Sequence, residues 1–150
     1  MMTLGAPDLT QHPPRSPRVR LGGYVIFPRL LDKCRATLAA KHGEYKYACP
    51  LDQRWLEFVA VDPEALKKEA AKGKTDAELL AWVSAQAKHK PGAPEIAAWS
   101  AHQETRVPSD VESRQFFQEQ HSKLAPHRED VITWFDLLDL DDYISFGGKA

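Results

Sequence analysis

The sequence has too few cysteine and histidine residues, and too little regularity in their spacing, for a metal site or a disulfide framework. It contains two cysteines, Cys34 and Cys49, and six histidines, none of them in His-x-x-x-His spacing. Two isolated cysteines cannot complete the ligand set of a structural zinc site, and in a reducing compartment they remain free thiols. We therefore expect no bound metal and no cofactor.

Long apolar runs are also absent. No segment approaches the roughly 20 apolar residues that a membrane-spanning helix needs. Residues 1–10 lack the basic stretch followed by an apolar stretch that marks a secretory signal. The sequence therefore predicts a cytoplasmic protein that does not contact a membrane.

No charge of one sign is in large excess. The chain carries 20 Lys and Arg against 21 Asp and Glu, although residues 1–60 hold nine basic and five acidic residues. So small a local surplus would support only weak, salt-sensitive binding to nucleic acid, which is therefore not an expected partner. The surplus is compatible with a site for a small anion on the amino-terminal part of the surface.

The sequence is rich in helix signals. A chain of 150 residues is long enough to form one domain with its own core. Residues 1–20 are the exception, because Pro13, Pro14 and Pro17 remove backbone donors and favour extended geometry. We interpret residues 1–20 as an extended arm rich in proline and arginine. We expect residues 1–150 to form a single domain, an all-α, compact multi-helix bundle.

Prolines, capping residues and apolar spacing predict at least five helices. The expected starts lie near Pro28, Pro50, Pro63, Asp76, Pro94 and a cap at Ser109. A last element from Val131 to Leu138 is apolar over so wide an arc that we expect it to be the most enclosed helix. Short alternating segments near residues 24–26 and 44–47 predict, as an alternative to loops, one small two-stranded β element.

The first candidate site combines the arm with a glycine pair. Guanidinium groups suit phosphate or carboxylate, and glycines let backbone amides approach an anion near a helix start. This pattern favours a site for an anionic small molecule or an acidic protein. The alternative is that the arm packs along the domain and its arginines pair with the acidic later helices. The candidate ligand-binding residues are Arg15, Arg18, Arg20, Gly22, Gly23 and Arg29.

The second candidate site is Cys49, which precedes Pro50 at an expected helix start. The helix dipole favours a thiolate at such a position, so Cys49 is a candidate catalytic nucleophile, with Arg15 or Arg18 binding the substrate. No neighbouring residue is identified that would orient a base. The alternative is a small, buried and inert cysteine.

Seven short runs give the sequence a resemblance to a bacterial family, the domain-of-unknown-function family numbered 5069. The resemblance covers most of the chain and is densest over residues 8–66. It implies a small, self-standing cytoplasmic bacterial protein and brings no established activity, cofactor or catalytic residue. The runs are Asp8-Leu9-Thr10, Pro14-Arg15-Ser16-Pro17-Arg18, Leu21-Gly22-Gly23-Tyr24, Leu31-Asp32-Lys33, Gly43-Glu44-Tyr45, Cys49-Pro50-Leu51-Asp52 and Asp62-Pro63-Glu64-Ala65.

Three functional hypotheses remain open. The first is a non-enzymatic binding module that holds an anionic small molecule or an acidic partner at its basic amino-terminal surface. The second is a small enzyme that uses Cys49 as a thiolate nucleophile. The third is a protein-interaction scaffold that needs neither site.

Overall fold

The computed structural model describes residues 5–150, and within them the chain folds into seven α-helices. Their bounds are Phe27–Leu38 (α1), Pro50–Val59 (α2), Pro63–Ala70 (α3), Asp76–Gln86 (α4), Ala93–Thr105 (α5), Val111–Leu124 (α6) and Trp134–Ser145 (α7). The predicted all-α class is confirmed. Among the described residues, no helix has the length and apolar character needed to cross a membrane.

Local signals set most of the helix starts. The carboxylate of Asp62 caps α3 by accepting a hydrogen bond from the Ala65 N–H at 3.0 Å. The predicted capping box of Thr75 and Glu78 forms at the start of α4. Four helices have a proline in their first turn, where the missing N–H leaves no helix bond unmade. These prolines are Pro28, Pro50, Pro63 and Pro94.

The start of α6 differs from the prediction. Asp110, not Ser109, caps this helix, and its carboxylate accepts a hydrogen bond from the Ser113 N–H at 2.7 Å. Aspartate and serine are both good capping residues, so two neighbouring candidates stand side by side in the sequence. Only the backbone conformation decides between them.

Helix α1, not α7, is the most enclosed helix. Ten of the twelve residues of α1 are buried, against four of twelve in α7. Helix α7 begins only at Trp134, so Val131 and Ile132, which the prediction placed in its apolar arc, precede the helix. The prediction was wrong because α1 also carries charged side chains, whose burial depends on partners elsewhere in the chain.

The two short strands expected near residues 24–26 and 44–47 do not form within residues 5–150. An isolated bridge joins Leu21 to Tyr24, and residues 24–26 lead directly into α1. In the second segment, the two tyrosine hydroxyls donate hydrogen bonds to groups on α7 and α3. These aromatic side chains dock on helices, so the segment has no strand partner.

The hydrophobic core has two parts. In the main core, which surrounds α1, Phe27 stacks on Trp55 with ring centroids 4.2 Å apart, and Phe135 of α7 is fully buried beside them. A smaller cluster, the carboxy-terminal core, lies where α6 contacts α7. Its buried members are Phe117, Ala125, Val131, Leu137 and Leu140.

The predicted arm packs along the domain, apart from its first four residues, which lie outside the described residues. Pro14 and Pro17 are buried, and the Pro17 carbonyl accepts a hydrogen bond from the Ile26 N–H at 2.9 Å. Ile26 immediately precedes α1 and has a φ of 73°, a conformation that is unfavourable for a β-branched residue. Complete burial and the hydrogen bond to the arm hold Ile26 in this conformation.

Candidate functional site

A cleft of about 780 Å³ opens beside α1. Its walls come from α1, the segment from Gly43 to Cys49, the start of α2 and the end of α7, and Leu9 and Thr10 of the arm complete it. This volume is in the range of small-molecule sites. Leu51, Leu138 and Phe146 give the cleft apolar surface beside its charged groups. The cleft can therefore accept a ligand with both a polar and an apolar part.

Arg29 and Asp142 form a buried ion pair at the cleft. Arg29 Nη1 lies 2.7 Å from Asp142 Oδ2, and the two side chains are 4% and 8% exposed. The Tyr45 hydroxyl donates to Asp142 Oδ1 at 2.6 Å, and the guanidinium of Arg29 lies over the Tyr45 ring. Burial opposes the charge on Arg29, but the hydrogen bond and charge of Asp142, together with the nearby Tyr45 and Asp52, outweigh burial and raise the pKa of Arg29. Burial, together with the same aspartate, raises the pKa of Tyr45.

A second buried pair lies one helical turn along α1. Lys33 Nζ is 2.8 Å from Asp52 Oδ2, and the side chains are 4% and 0% exposed. Lys33 Nζ also donates to the Cys49 Sγ at 3.1 Å. Although the lysine and the aspartate are close, neither oxygen of Asp52 accepts a well-aligned hydrogen bond among residues 5–150. Coulomb attraction therefore holds this pair, and Lys33 connects the buried carboxylate to the thiol in the cleft.

Arg29 and Lys33 line the cleft together because residues four apart share one face of a helix. The Nη1 and Nη2 groups of Arg29 are used by Asp142 and by the Arg15 carbonyl, whereas its Nε–H has no acceptor among residues 5–150. Lys33 directs one of its three N–H donors to Cys49, while Asp52 Oδ2 lies 2.8 Å from its nitrogen as a counter-charge. Each cation therefore keeps a donor that a ligand can use.

Three more charged side chains line the cleft, Glu44, Lys46 and Asp141, and all three are exposed. Although the residue is exposed, partial burial of its carboxyl group and the charge of the neighbouring Asp142 raise the pKa of Asp141. Within residues 5–150 there is no group of three or more His, Cys, Asp or Glu residues that could hold a metal ion. The chemistry that the cleft presents is therefore that of cations, carboxylates, a phenol and a thiol.

Residues 11–144 match the family described as Domain of unknown function (DUF5069). The match covers most of the 150-residue chain. This chain belongs to the DUF5069 family. The resemblance seen in the sequence is thereby confirmed, and the family description names no activity or ligand. No curated protein sequence matches the chain.

In this DUF5069 domain the arm arginines reach three different parts of the fold. Arg15 bonds to Asp32 of α1 and Asp76 of α4, at 3.0 and 2.8 Å. Burial opposes ionisation of Asp76, but its bonds to Arg15 and Arg35 outweigh burial and lower the pKa of Asp76. Arg15 thus connects the arm to α1 and α4 through ion pairs.

The other two arm arginines also face carboxylates. Arg18 contacts Asp136 and Asp139 of α7, and Arg20 lies 2.7 Å from Glu104 of α5. The three guanidinium groups do not meet at one point of the DUF5069 domain. Of the six predicted ligand-binding residues, Arg29 alone lines the cleft, and the candidate nucleophile Cys49 lines it as well. Whether the arm arginines bind an anion stays a prediction.

The glycine pair forms a tight turn that packs on α4 and α5. Gly22 and Gly23 have φ values of +60° and +85°, the signs that a type I′ turn requires. A Cβ on Gly22 would lie 2.6 Å from Leu80, and the Gly23 carbonyl accepts a hydrogen bond from Ser100 Oγ at 2.6 Å. The glycines are therefore explained by backbone geometry and close packing, and neither lines the cleft.

Sequence reasoning missed Lys33 and Asp52. One signal was available, because Lys33 stands beside Cys34 in the apolar stripe of α1, and Asp52 stands between Leu51 and the fully buried Trp55. A charged residue on a face expected to be buried requires a partner. The sequence does not show which partner that is.

Proposed function

We propose that this domain is a non-enzymatic binding module that holds a small molecule bearing a carboxylate or phosphate group in the cleft beside α1. The observation that supports this proposal is the placement of two buried cations, Arg29 and Lys33, one turn apart on the wall of the cleft. Buried charges are rare and are usually paired, and cationic donors that remain available in a cleft are the groups that bind anions.

The ligand is expected to have an apolar portion. Asp142 and Asp52 balance the two cations, so the attraction comes from short-range hydrogen bonds rather than from a large positive field. Leu51, Leu138 and Phe146 offer apolar contact at the same cleft. An aromatic or aliphatic anion should therefore bind better than inorganic phosphate.

The experiment is a thermal-unfolding titration with phosphate, phenyl phosphate and benzoate, with benzyl alcohol as the uncharged control. A ligand that binds only the folded state raises the melting temperature. We expect phenyl phosphate and benzoate to raise it, and benzyl alcohol to leave it unchanged. Phosphate also stabilises proteins non-specifically by exclusion from their surface, so variants are compared at the same salt concentration.

Exposed charges at the cleft provide variants that should not disturb folding. Asp141→Asn removes a negative charge from the cleft and should tighten anion binding about two- to fivefold, the effect of one partly exposed charge. Lys46→Ala should weaken binding by a similar factor. Arg18 lies in the arm, contacts α7 and does not line the cleft. Arg18→Ala is therefore the control and should bind like the native chain.

The outcomes separate the alternatives. A response lost only in Arg18→Ala would move the site to the arm, as the sequence alone suggested. Equal shifts in the native chain and in all three variants would mean a general salt effect, which would reject the cleft and favour the scaffold hypothesis.

The second candidate, a small enzyme using Cys49, is favoured by one specific observation. Lys33 and Asp52 supply the neighbouring cation and the supporting carboxylate that sequence reasoning did not identify. A nucleophilic thiolate would displace 4-nitrophenolate from an activated ester, form a thioester and release the acid on hydrolysis. The 4-nitrophenyl monoester of succinate tests this candidate. Release that equals background, or that persists in Cys49→Ser, would reject it.

A further inference from the structure

The two thiols of the chain have opposite surroundings. Cys34 is fully buried, and burial raises the pKa of its thiol to about 12. Cys49 is half-buried, lines the cleft and accepts a hydrogen bond from the Lys33 ammonium at 3.1 Å. A neighbouring ammonium stabilises a thiolate, which is the reactive form of cysteine. One thiol is therefore closed to reagents and the other is open to the cleft.

We infer that Cys49 is a modification site that forms a mixed disulfide with a low-molecular-weight disulfide bearing carboxylates. This inference rests on the proposed function, because the same cations would position the carboxylate. Arg29, whose side chain is 4% exposed, lines the cleft and keeps an Nε–H without an acceptor among residues 5–150. Arg29 is therefore a second polar group at the cleft, and it is independent of the cysteine.

The reaction is a thiol–disulfide exchange that needs no other oxidant. The Cys49 thiolate attacks one sulfur of the disulfide, a new S–S bond forms to Cys49, and the original S–S bond breaks. The second sulfur leaves as a thiolate and takes a proton from water. Cys49 is oxidised and the leaving thiol is reduced, so the electrons balance. Asp52 remains beside Lys33 before and after the exchange and balances its charge.

The test measures second-order rates of the native chain with three disulfides of different charge. The anionic probe is 5,5′-dithiobis(2-nitrobenzoate), the neutral one 2,2′-dithiodipyridine and the cationic one cystamine. Each rate is divided by that of N-acetylcysteine amide under the same conditions, which removes the intrinsic reactivity of the reagent. We expect the anionic probe to be favoured over the cationic one by about tenfold, because its carboxylate can accept charge-assisted hydrogen bonds from Arg29 and Lys33. Mass spectrometry should show one adduct, on Cys49.

Variants separate this inference from the proposed function. Asp141→Asn should raise the rate with the anionic probe and leave the neutral probe unchanged, whereas Cys49→Ser should abolish the adduct. Lys33→Met combined with Asp52→Leu removes the buried pair without leaving one charge alone, and should slow all three probes. The double variant tests the role of Lys33 in the reaction without leaving Asp52 buried as an unpaired charge, which a single replacement of Lys33 would do.

Three results would overturn the inference. They are slow reaction with every probe, an adduct on Cys34, or equal normalised rates for the anionic and cationic probes. Binding of benzoate to Cys49→Ser, measured by the thermal titration, reports the proposed function without the thiol. If that binding persists while the exchange fails, the modification site is wrong and the binding module stands. If both fail, the proposed function is wrong as well.

Discussion

The main core and the carboxy-terminal core differ in which side chains they bury and which they leave exposed. Around α1, charged side chains are buried and paired with groups from other helices, as Arg29 is with Asp142 and Lys33 with Asp52. Around α6, by contrast, apolar side chains remain in solvent. Phe116 is 53% exposed, and Phe117 is the one buried residue of this 14-residue helix.

This difference shows where the domain is held together and where it is loosely attached. Buried ion pairs connect α1 to α2 and α7, so α1 cannot shift without separating charges in an apolar environment. Helix α6 is anchored mainly through Phe117, which meets Trp134 edge-on with ring centroids 5.3 Å apart. A helix with so few buried contacts is expected to open locally more readily than one in the main core. The cleft lies beside α1, in the part of the molecule that the buried ion pairs hold together.

The largest expected effect comes from separating the buried charges. Asp52→Ala should lower the free energy of unfolding by about 3–5 kcal/mol, because Lys33 would stay buried without its counter-charge. Urea denaturation measures this change. Asp52→Leu combined with Lys33→Met should recover most of the loss, because replacing both charges with apolar groups removes the desolvation cost. A loss below about 1 kcal/mol in Asp52→Ala would mean that Lys33 reaches water, as surface pairs do.

A second prediction compares the two cores directly. Phe135→Ala in the main core should lower the free energy of unfolding by about 3–5 kcal/mol, the usual range for a buried phenylalanine. Phe117→Ala should cost less, about 2 kcal/mol, because the small cluster can relax around the space. Amide hydrogen exchange should also be faster in α6 than in α1. Equal exchange protection in the two helices would contradict the comparison.

A third prediction concerns helix caps. Thr75→Ala should lower the free energy of unfolding by about 1 kcal/mol, because it removes the acceptor of the Glu78 N–H. Asp110→Ala removes the equivalent group at the start of α6. If α6 opens locally, that variant should accelerate exchange in α6 more than it shifts the urea midpoint. An unchanged midpoint in Thr75→Ala would show that the capping box contributes nothing measurable.

The smallest effect is expected in acid. The pKa of Asp76 lies below its ordinary value of 3.8, since its bonds to Arg15 and Arg35 outweigh burial. A lowered pKa in the folded state contributes stability above the unfolded pKa, and this stability is lost as the pH falls through the folded pKa. Asp76→Asn should therefore flatten the loss of stability below about pH 4, by less than about 1 kcal/mol because the pair is partly exposed. A native-like acid profile in Asp76→Asn would refute this role.

How far the candidate site could be predicted depended on the range of each interaction. Arg29 and Cys49 were recognised from neighbouring prolines and glycines, and the cleft contains both. Lys33 was missed because its partner Asp52 is 19 positions away and on another helix. Pairing of the arm arginines with the acidic later helices was one of the two alternatives that the sequence left open, but nothing local indicates that Arg18 faces α7 rather than another helix.

The sequence by itself determined the helical class and most helix starts, because a cap or a first-turn proline acts within three or four residues. The bond from the Glu78 N–H to Thr75 is of this kind. Only the tertiary structure decided that α1 is central and that a cleft opens beside it. Arg29 and Asp142 are 113 residues apart in the chain, yet their nitrogen and oxygen lie 2.7 Å apart. A charged side chain in a sequence looks solvent-exposed until its partner is known, and only the packing of distant helices supplies that partner.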